Sequence, residues 1–322
     1  MWLAISLSAI SAAQKKSKDD YTQTLELPKD PPAVALGETR RLVFHVSPLS
    51  GKGLLAQQTR DALKAILKQD GNLQLVHVRA FVAGSGDVRR IPQIVSEVAT
   101  EKKLPLPSVS VLRAGALALE NAQVVLETVS VGRRDTNAGL DFAVSETVTD
   151  PNPEAPARPL LEKALAQFKI PGGEALRATC FVSSIAGAAE LTRLITVRFP
   201  AAAVDLVQPQ RGPFRALAAC EVIAKGQRIT SARLAFTGTR VAFGAGEKEA
   251  TLAFQRLDRD LTEAGSGASV VVLTNLYPLT TPVAELARKL RPSDSPTLLV
   301  PFEGLASIDA GFAVDAIAAV SP

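Results

Sequence analysis

The chain is poor in the side chains that most enzyme chemistry uses. Its 322 residues include two Cys, two His, one Trp and one Met, and aromatics make up 5%. With only His45 and His77, and no Cys at ligand spacing, no metal centre is expected. No phosphate loop or dinucleotide fingerprint is present, so no cofactor is expected either; Gly84-Ser85-Gly86 and Gly244-Ala245-Gly246 read as turns before helices. Ser110 and Ser183 have no Gly-x-Ser-x-Gly context and no evident base, and no catalytic residue is assigned. The formal charge of +4 is scattered without a long basic run, which argues against a nucleic-acid partner. Beyond the first residues, no stretch is long and apolar enough to span a bilayer.

What is abundant is small aliphatic side chains. An apolar fraction of 47% with so few aromatics describes a folded chain with cores of Ala, Val, Leu and Ile. The opening MWLAISLSAISAA followed by QKKSKDD resembles the apolar region of a secretory signal with a cleavage site after Ala13. Export to the periplasm or exterior is therefore expected, and a cytoplasmic location if this segment is not a signal. Cys180 and Cys220 fit either an oxidised pair or two buried thiols.

One pattern occurs three times. The strand His77-Val78-Arg79-Ala80-Phe81-Val82 precedes a helix over 87–102. Ala178-Thr179-Cys180-Phe181-Val182-Ser183 precedes a helix over 188–198, and Val270-Val271-Val272-Leu273-Thr274 precedes one over 281–290. The copies lie about a hundred residues apart, so each is domain-sized rather than a solenoid repeat. Helical periodicity adds an earlier helix to each copy, over 54–68, 160–168 and 247–263, with Leu252, Phe254, Leu257 and Leu261 as apolar positions of the last. Each copy then reads β-α-β-α-β-β. The expected organisation is a signal-like segment and Pro-rich linker over 1–38, then domains over 39–135, 136–228 and 229–322.

These residues resemble the RidA (YjgF) family, whose members form homotrimers with a chorismate-mutase-like fold. The resemblance rests on the Val-Arg-Ala-Phe-Val strand with its helix, and on Ala235-Phe236-Thr237-Gly238, which is similar to the family's first-strand Phe-Val-Ser-Gly. It also rests on the closing strands Leu126-Glu127-Thr128, Cys220-Glu221-Val222 and Val314-Asp315-Ala316. The implied fold is α+β: three RidA-like domains forming a single-chain pseudo-trimer, with a central β-barrel and outer helices. The implied state is a monomer mimicking the homotrimer.

The family's deaminases hydrolyse enamines and imines, holding the substrate carboxylate with an Arg just after a Pro. A guanidinium suits that task because it offers two parallel donors in a fixed fork. Here the aligned positions are Val109, Ala201 or Ala202, and Thr297, so no copy keeps the Arg. The additional acid expected two residues before the conserved one falls on Val125, Ala219 and Ala313. The expectation is a non-catalytic module that binds a small molecule in an interdomain cleft, or a protein. The alternative is a divergent deaminase or other hydrolase using one surviving cleft, with Arg113 or Arg240 supplying the missing anchor. Candidate ligand-binding residues are Phe236, Thr237, Gly238 and Thr297 in the third copy, with the acids Glu127, Glu221 and Asp315 at equivalent positions. The structural alternative for each acid is a carboxylate paired with an Arg, since a buried charge must be satisfied.

Overall fold

A computed structural model describes residues 30–84, 86–135, 137–209, 215–228 and 232–320. The signal-like segment and most of the expected linker lie outside the described residues. These residues build a mixed α+β fold of three sheets and six α-helices, with two short 3-10 turns.

The first sheet has order β2-β5-β3-β4, from β2 (Val43–Val46), β3 (Leu73–Ala83), β4 (Ser108–Ala114) and β5 (Val124–Gly132). Helices α1 (Leu55–Asp70) and α2 (Arg90–Glu101) pack on it, burying Leu63, Ile66, Ile91, Ile94, Val95 and Val98. The second sheet holds β6 (Leu140–Val144), β7 (Val148–Asp150), β8 (Ala175–Val182), β9 (Ala203–Gln208) and β10 (Ala216–Lys225). It is covered by α3 (Ala157–Leu165) and α4 (Ala188–Arg198). The third sheet holds β11 (Ala232–Thr237), β12 (Arg240–Phe243), β13 (Val271–Pro278), β14 (Thr297–Leu299) and β16 (Ala310–Val320). Its helices are α5 (Glu247–Glu263) and α6 (Thr281–Leu290). Pro282 sits in the first turn of α6, where its missing N–H leaves no bond unmade.

Each sheet repeats one pairing logic. A long inner strand (β3, β8 or β13) runs antiparallel to the closing strand and parallel to the strand after the second helix. A parallel pair needs a crossover, and the helix between supplies it. Each inner strand is largely buried on both faces because helices cover one and the other two sheets cover the other.

Several sequence expectations need correction. The sheets are not hydrogen-bonded into a closed barrel among the described residues; their facing side chains fill the interior instead. Residues expected to end the linker form β1 (Val34–Thr39), which pairs antiparallel with β11 along its whole length. The apolar run Val34-Ala35-Leu36 carried that signal, but the preceding prolines masked it. β15 (Gly304–Leu305) pairs with β9, so one strand of the second sheet is held by chain from beyond α6. Leu252 is exposed, and Ala250 and Ala253 take the inward places on α5. Cys180 and Cys220 are directly opposite on β8 and β10 and form a disulfide, buried on the helix side of the sheet.

Candidate functional site

The interior between the sheets is layered. One layer is aromatic and aliphatic: Phe81, Phe181 and Tyr277 occupy matching places on β3, β8 and β13, with Phe302 stacked on Tyr277 at 5.0 Å. Another apolar cluster is built on Phe44, Val129, Leu140, Phe236, Leu273 and Ile317. Between them lies a polar layer whose members follow from strand register. Arg79 faces Glu127 and Ser110, Thr179 faces Glu221 and Asp205, and Asn275 faces Asp315 and Leu298. The period of two along a strand puts residues two apart on the same face, so a polar residue two positions before each inner aromatic must point inward.

The three candidate acids therefore are brought into one layer, and each is buried and partnered. Arg79 Nη1 donates to both Glu127 oxygens at 3.2 Å, and its Nε donates to Glu221 Oε2 at 2.7 Å. Ser110 donates to the other Glu221 oxygen. Arg177 Nε donates to Asp205 Oδ2 at 2.6 Å, and its Nη2 lies 2.5 Å from Asp315 Oδ1. Asp315 also accepts from Asn275 Nδ2 at 2.9 Å and from the Tyr277 hydroxyl at 2.6 Å. Asp205 accepts from Thr179 Oγ1, while Asp205 Oδ1 and Asn275 Oδ1 have no hydrogen-bond partner among the described residues.

The charges do not balance. Four carboxyls (Glu127, Asp205, Glu221, Asp315) face two guanidiniums and a histidine. Burying uncompensated charge is expensive, so part of this set holds its protons instead. Burial pushes Glu127 up despite Arg79, and pushes Asp205 up to about 6 despite Arg177. Burial also acts on Glu221, but Arg79 and His77 outweigh it and hold this carboxyl far below its ordinary range. Burial and then Asp315 raise Tyr277 well above the usual phenol value, so it stays a donor.

The polar layer crosses the boundaries between sheets. β4 runs beside β6, β9 beside β11, and β13 beside β2. Arg79 and Ser110 reach from the first sheet to Glu221 of the second; Arg177 reaches from the second to Asp315 of the third. His77 lies at the seam of the first two sheets, stacked on Phe142 of β6 at 5.4 Å. Its Nδ1 is 2.8 Å from Ser108 Oγ, and its Nε2 is 3.8 Å from Glu221 Oε2. A void of about 10 Å³ lies against His77, Arg79, Glu127, Phe142, Arg177 and Glu221, room for about one water.

The remaining candidates are not gathered at an open cleft. Phe236 is fully buried in the apolar layer. Thr237 Oγ1 bonds the backbone of Ala316 in both directions, at 3.3 Å as donor and 2.9 Å as acceptor. Gly238 lies where a Cβ would come within 2.9 Å of Val204 O, so the third sheet closes against the second there. Thr297 pairs in register with Thr274 and accepts from Arg291 Nη1 at 2.6 Å. By register its counterparts are Val109 and Val204, not Ala201 or Ala202, and Val109 and Val204 pack toward helices. Arg113 donates to the carbonyls of Gly84 and Gly86, and Arg240 pairs with Asp260, so neither supplies an interior anchor. The sequence reading missed Arg79, Arg177, Asp205 and Ser108. Arginines in the middle of otherwise apolar strands were the available signal.

No family model matches the chain, and no curated protein does. Among solved structures it is similar to a cyanuric acid hydrolase described as an innovation by structural concatenation, at 9% identity and TM-score 0.48, covering 89% of this chain and all (100%) of that one. It is also similar to a YjgF/YER057c/UK114 family member from Mycobacterium tuberculosis, at 22% identity and TM-score 0.23, over 29% of this chain and 86% of the other. RidA from the Antarctic bacterium Psychrobacter sp. PAMC 21119 matches at 12% identity and TM-score 0.26, over 30% of this chain and 89% of the other.

Proposed function

We propose that the chain is a RidA-like pseudo-trimer in a single polypeptide, acting as a binding module that has given up the family's carboxylate-anchored deamination. The threefold reading is supported by the recurring element order and by the cyclic succession of seams, each joining one unit to the next. The loss of deamination is carried by one observation: both interior guanidiniums already face buried carboxylates, Arg79 bonded to Glu127 and Glu221, and Arg177 ion-paired with Asp205 and Asp315. A substrate carboxylate would have to displace Glu221 or Asp205 and leave that charge unpaired in the core, which costs several kcal/mol. The void among these charges, about 10 Å³, is too small for a ligand, and surface clefts offer more room. One of about 490 Å³ is floored by Gly37, Gly139 and Gly226 and rimmed by Lys225, Arg233 and Glu174.

The test is direct. Purified full-length chain is mixed with 2-iminopropanoate generated in place, and its decay is followed against buffer. Equal rates are expected; faster removal by the protein refutes the reading. The buried disulfide supports export, because such bonds persist in oxidising compartments. Free thiols in protein isolated from its native host would remove that support.

A further inference from the structure

The seam between the first two sheets holds a constellation that the binding reading leaves unused. Ser108 opens β4 and is only partly buried, whereas His77 and Glu221 are buried. Ser108 Oγ lies 2.8 Å from His77 Nδ1, within reach for proton transfer. The opposite ring nitrogen, Nε2, lies 3.8 Å from Glu221 Oε2. The ring is held between these partners by its stack on Phe142, nearly parallel at 13°. Nucleophile, base and orienting acid in contact is the arrangement that activates serine on unrelated folds, and it is recognised by geometry rather than by chain order.

We propose that Ser108 is an acyl-accepting nucleophile, with His77 as its base and Glu221 as the positioning carboxylate, and that the seam cleaves small neutral esters. The inference rests on the scaffold reading only in placing the reaction at an interdomain seam. Neutral substrates follow from the same inventory that argues against carboxylates: the nearby guanidiniums are engaged, and the group facing the imidazole is an acid. In the forward step the Ser108 proton passes to His77 Nδ1 and a bond forms between Oγ and the ester carbon. The carbon–alkoxide bond then breaks, and the alcohol leaves with the proton from His77. Water, deprotonated by the same nitrogen, attacks the acyl-serine, releasing the acid and restoring the hydroxyl. In the resting protein the Ser108 hydroxyl has a second acceptor, Val76 O at 3.3 Å, so the competing reading is a serine that merely links the ring to the backbone.

Labelling with a small alkyl fluorophosphonate, read by intact mass and peptide mapping on the full chain, separates the two. One adduct per chain on Ser108 is expected. Ser108→Ala should abolish it, and His77→Gln should slow labelling about 100-fold or more, the usual scale of a lost general base. With p-nitrophenyl acetate, Glu221→Gln should lower kcat while leaving KM within about twofold, a split that a general loss of structure would not give. Absence of the adduct from the wild-type chain, or its location on another residue, overturns the nucleophile, and this result needs no variant to fold. Labelling of a folded His77→Gln variant at the wild-type rate overturns the base. Deamination of 2-iminopropanoate by the same preparation would instead overturn the proposed loss of deamination and leave the labelling result standing.

Discussion

Asp205 offers the sharpest test of how the polar layer is held. Its carboxyl is fully buried on β9, accepts from Arg177 Nε and Thr179 Oγ1 through one oxygen, and leaves the other without a partner. Burial outweighs these bonds and raises the group from its ordinary 3.8 to about 6. Because the folded value is the higher one, the stabilising contribution of the protonated form is fully present below 3.8. It is lost as pH rises through about 6, since the unfolded chain gives up its proton first. At 1.36 kcal/mol per pH unit of displacement, the loss is about 3 kcal/mol by pH 7.5.

Asp205→Asn replaces the carboxyl by a neutral group of the same shape and so should remove this pH dependence. Urea unfolding followed by circular dichroism, at steps from pH 3.5 to 7.5, measures it. The stability of the variant relative to wild type should rise by about 3 kcal/mol across that window, whatever constant offset the altered hydrogen bonds introduce. Glu127, whose displacement has the same sign, is present in both proteins and cancels. Parallel curves, or a variant that weakens relative to wild type as pH rises, would refute the upward displacement of Asp205.

Two further outcomes follow from the packing. Arg79→Met should destabilise the chain by about 3–5 kcal/mol at neutral pH, because it strands Glu127 and Glu221 in the core; a change below about 1 kcal/mol in the same unfolding assay would mean the layer is hydrated. Replacing both cysteines by alanine opens a cross-link with a sequence separation of 40 and should cost about 4 kcal/mol by loop entropy; an unchanged unfolding midpoint would place the constraint's effect elsewhere.

Much of the scaffold was legible because its signals are local. Helices α4, α5 and α6 follow from periodicity and from Gly and Pro at their ends, and the inner strands follow from apolar runs flanked by turns. The pairing of β1 with β11 was not legible, since a strand added from about two hundred residues away leaves no local trace beyond a short apolar run. The candidate site was half legible. Aligning the closing strands found Glu127, Glu221 and Asp315, because the repeat places them together. Their partners do not repeat: Arg79 on β3 has Thr179 and Asn275 as counterparts, while Arg177 lies two residues earlier on β8. A repeat comparison looks for sameness and passes over residues that compensate for one another across seams.

That asymmetry carries a structural consequence. The seam between the first and second sheets is closed by Arg79 and Ser110 on Glu221, and that between the second and third by Arg177 on Asp315. The third sheet meets the first through the apolar layers, where Phe302 packs on Phe81 at 5.8 Å. Charged bridges demand fixed geometry and desolvated partners, whereas apolar contact tolerates small sliding. A homotrimer must use one interface three times, so any change at one seam is imposed on all. In one polypeptide each seam can be solved separately, and here two are solved by charge. The one between the first two sheets holds a partly open serine beside its histidine.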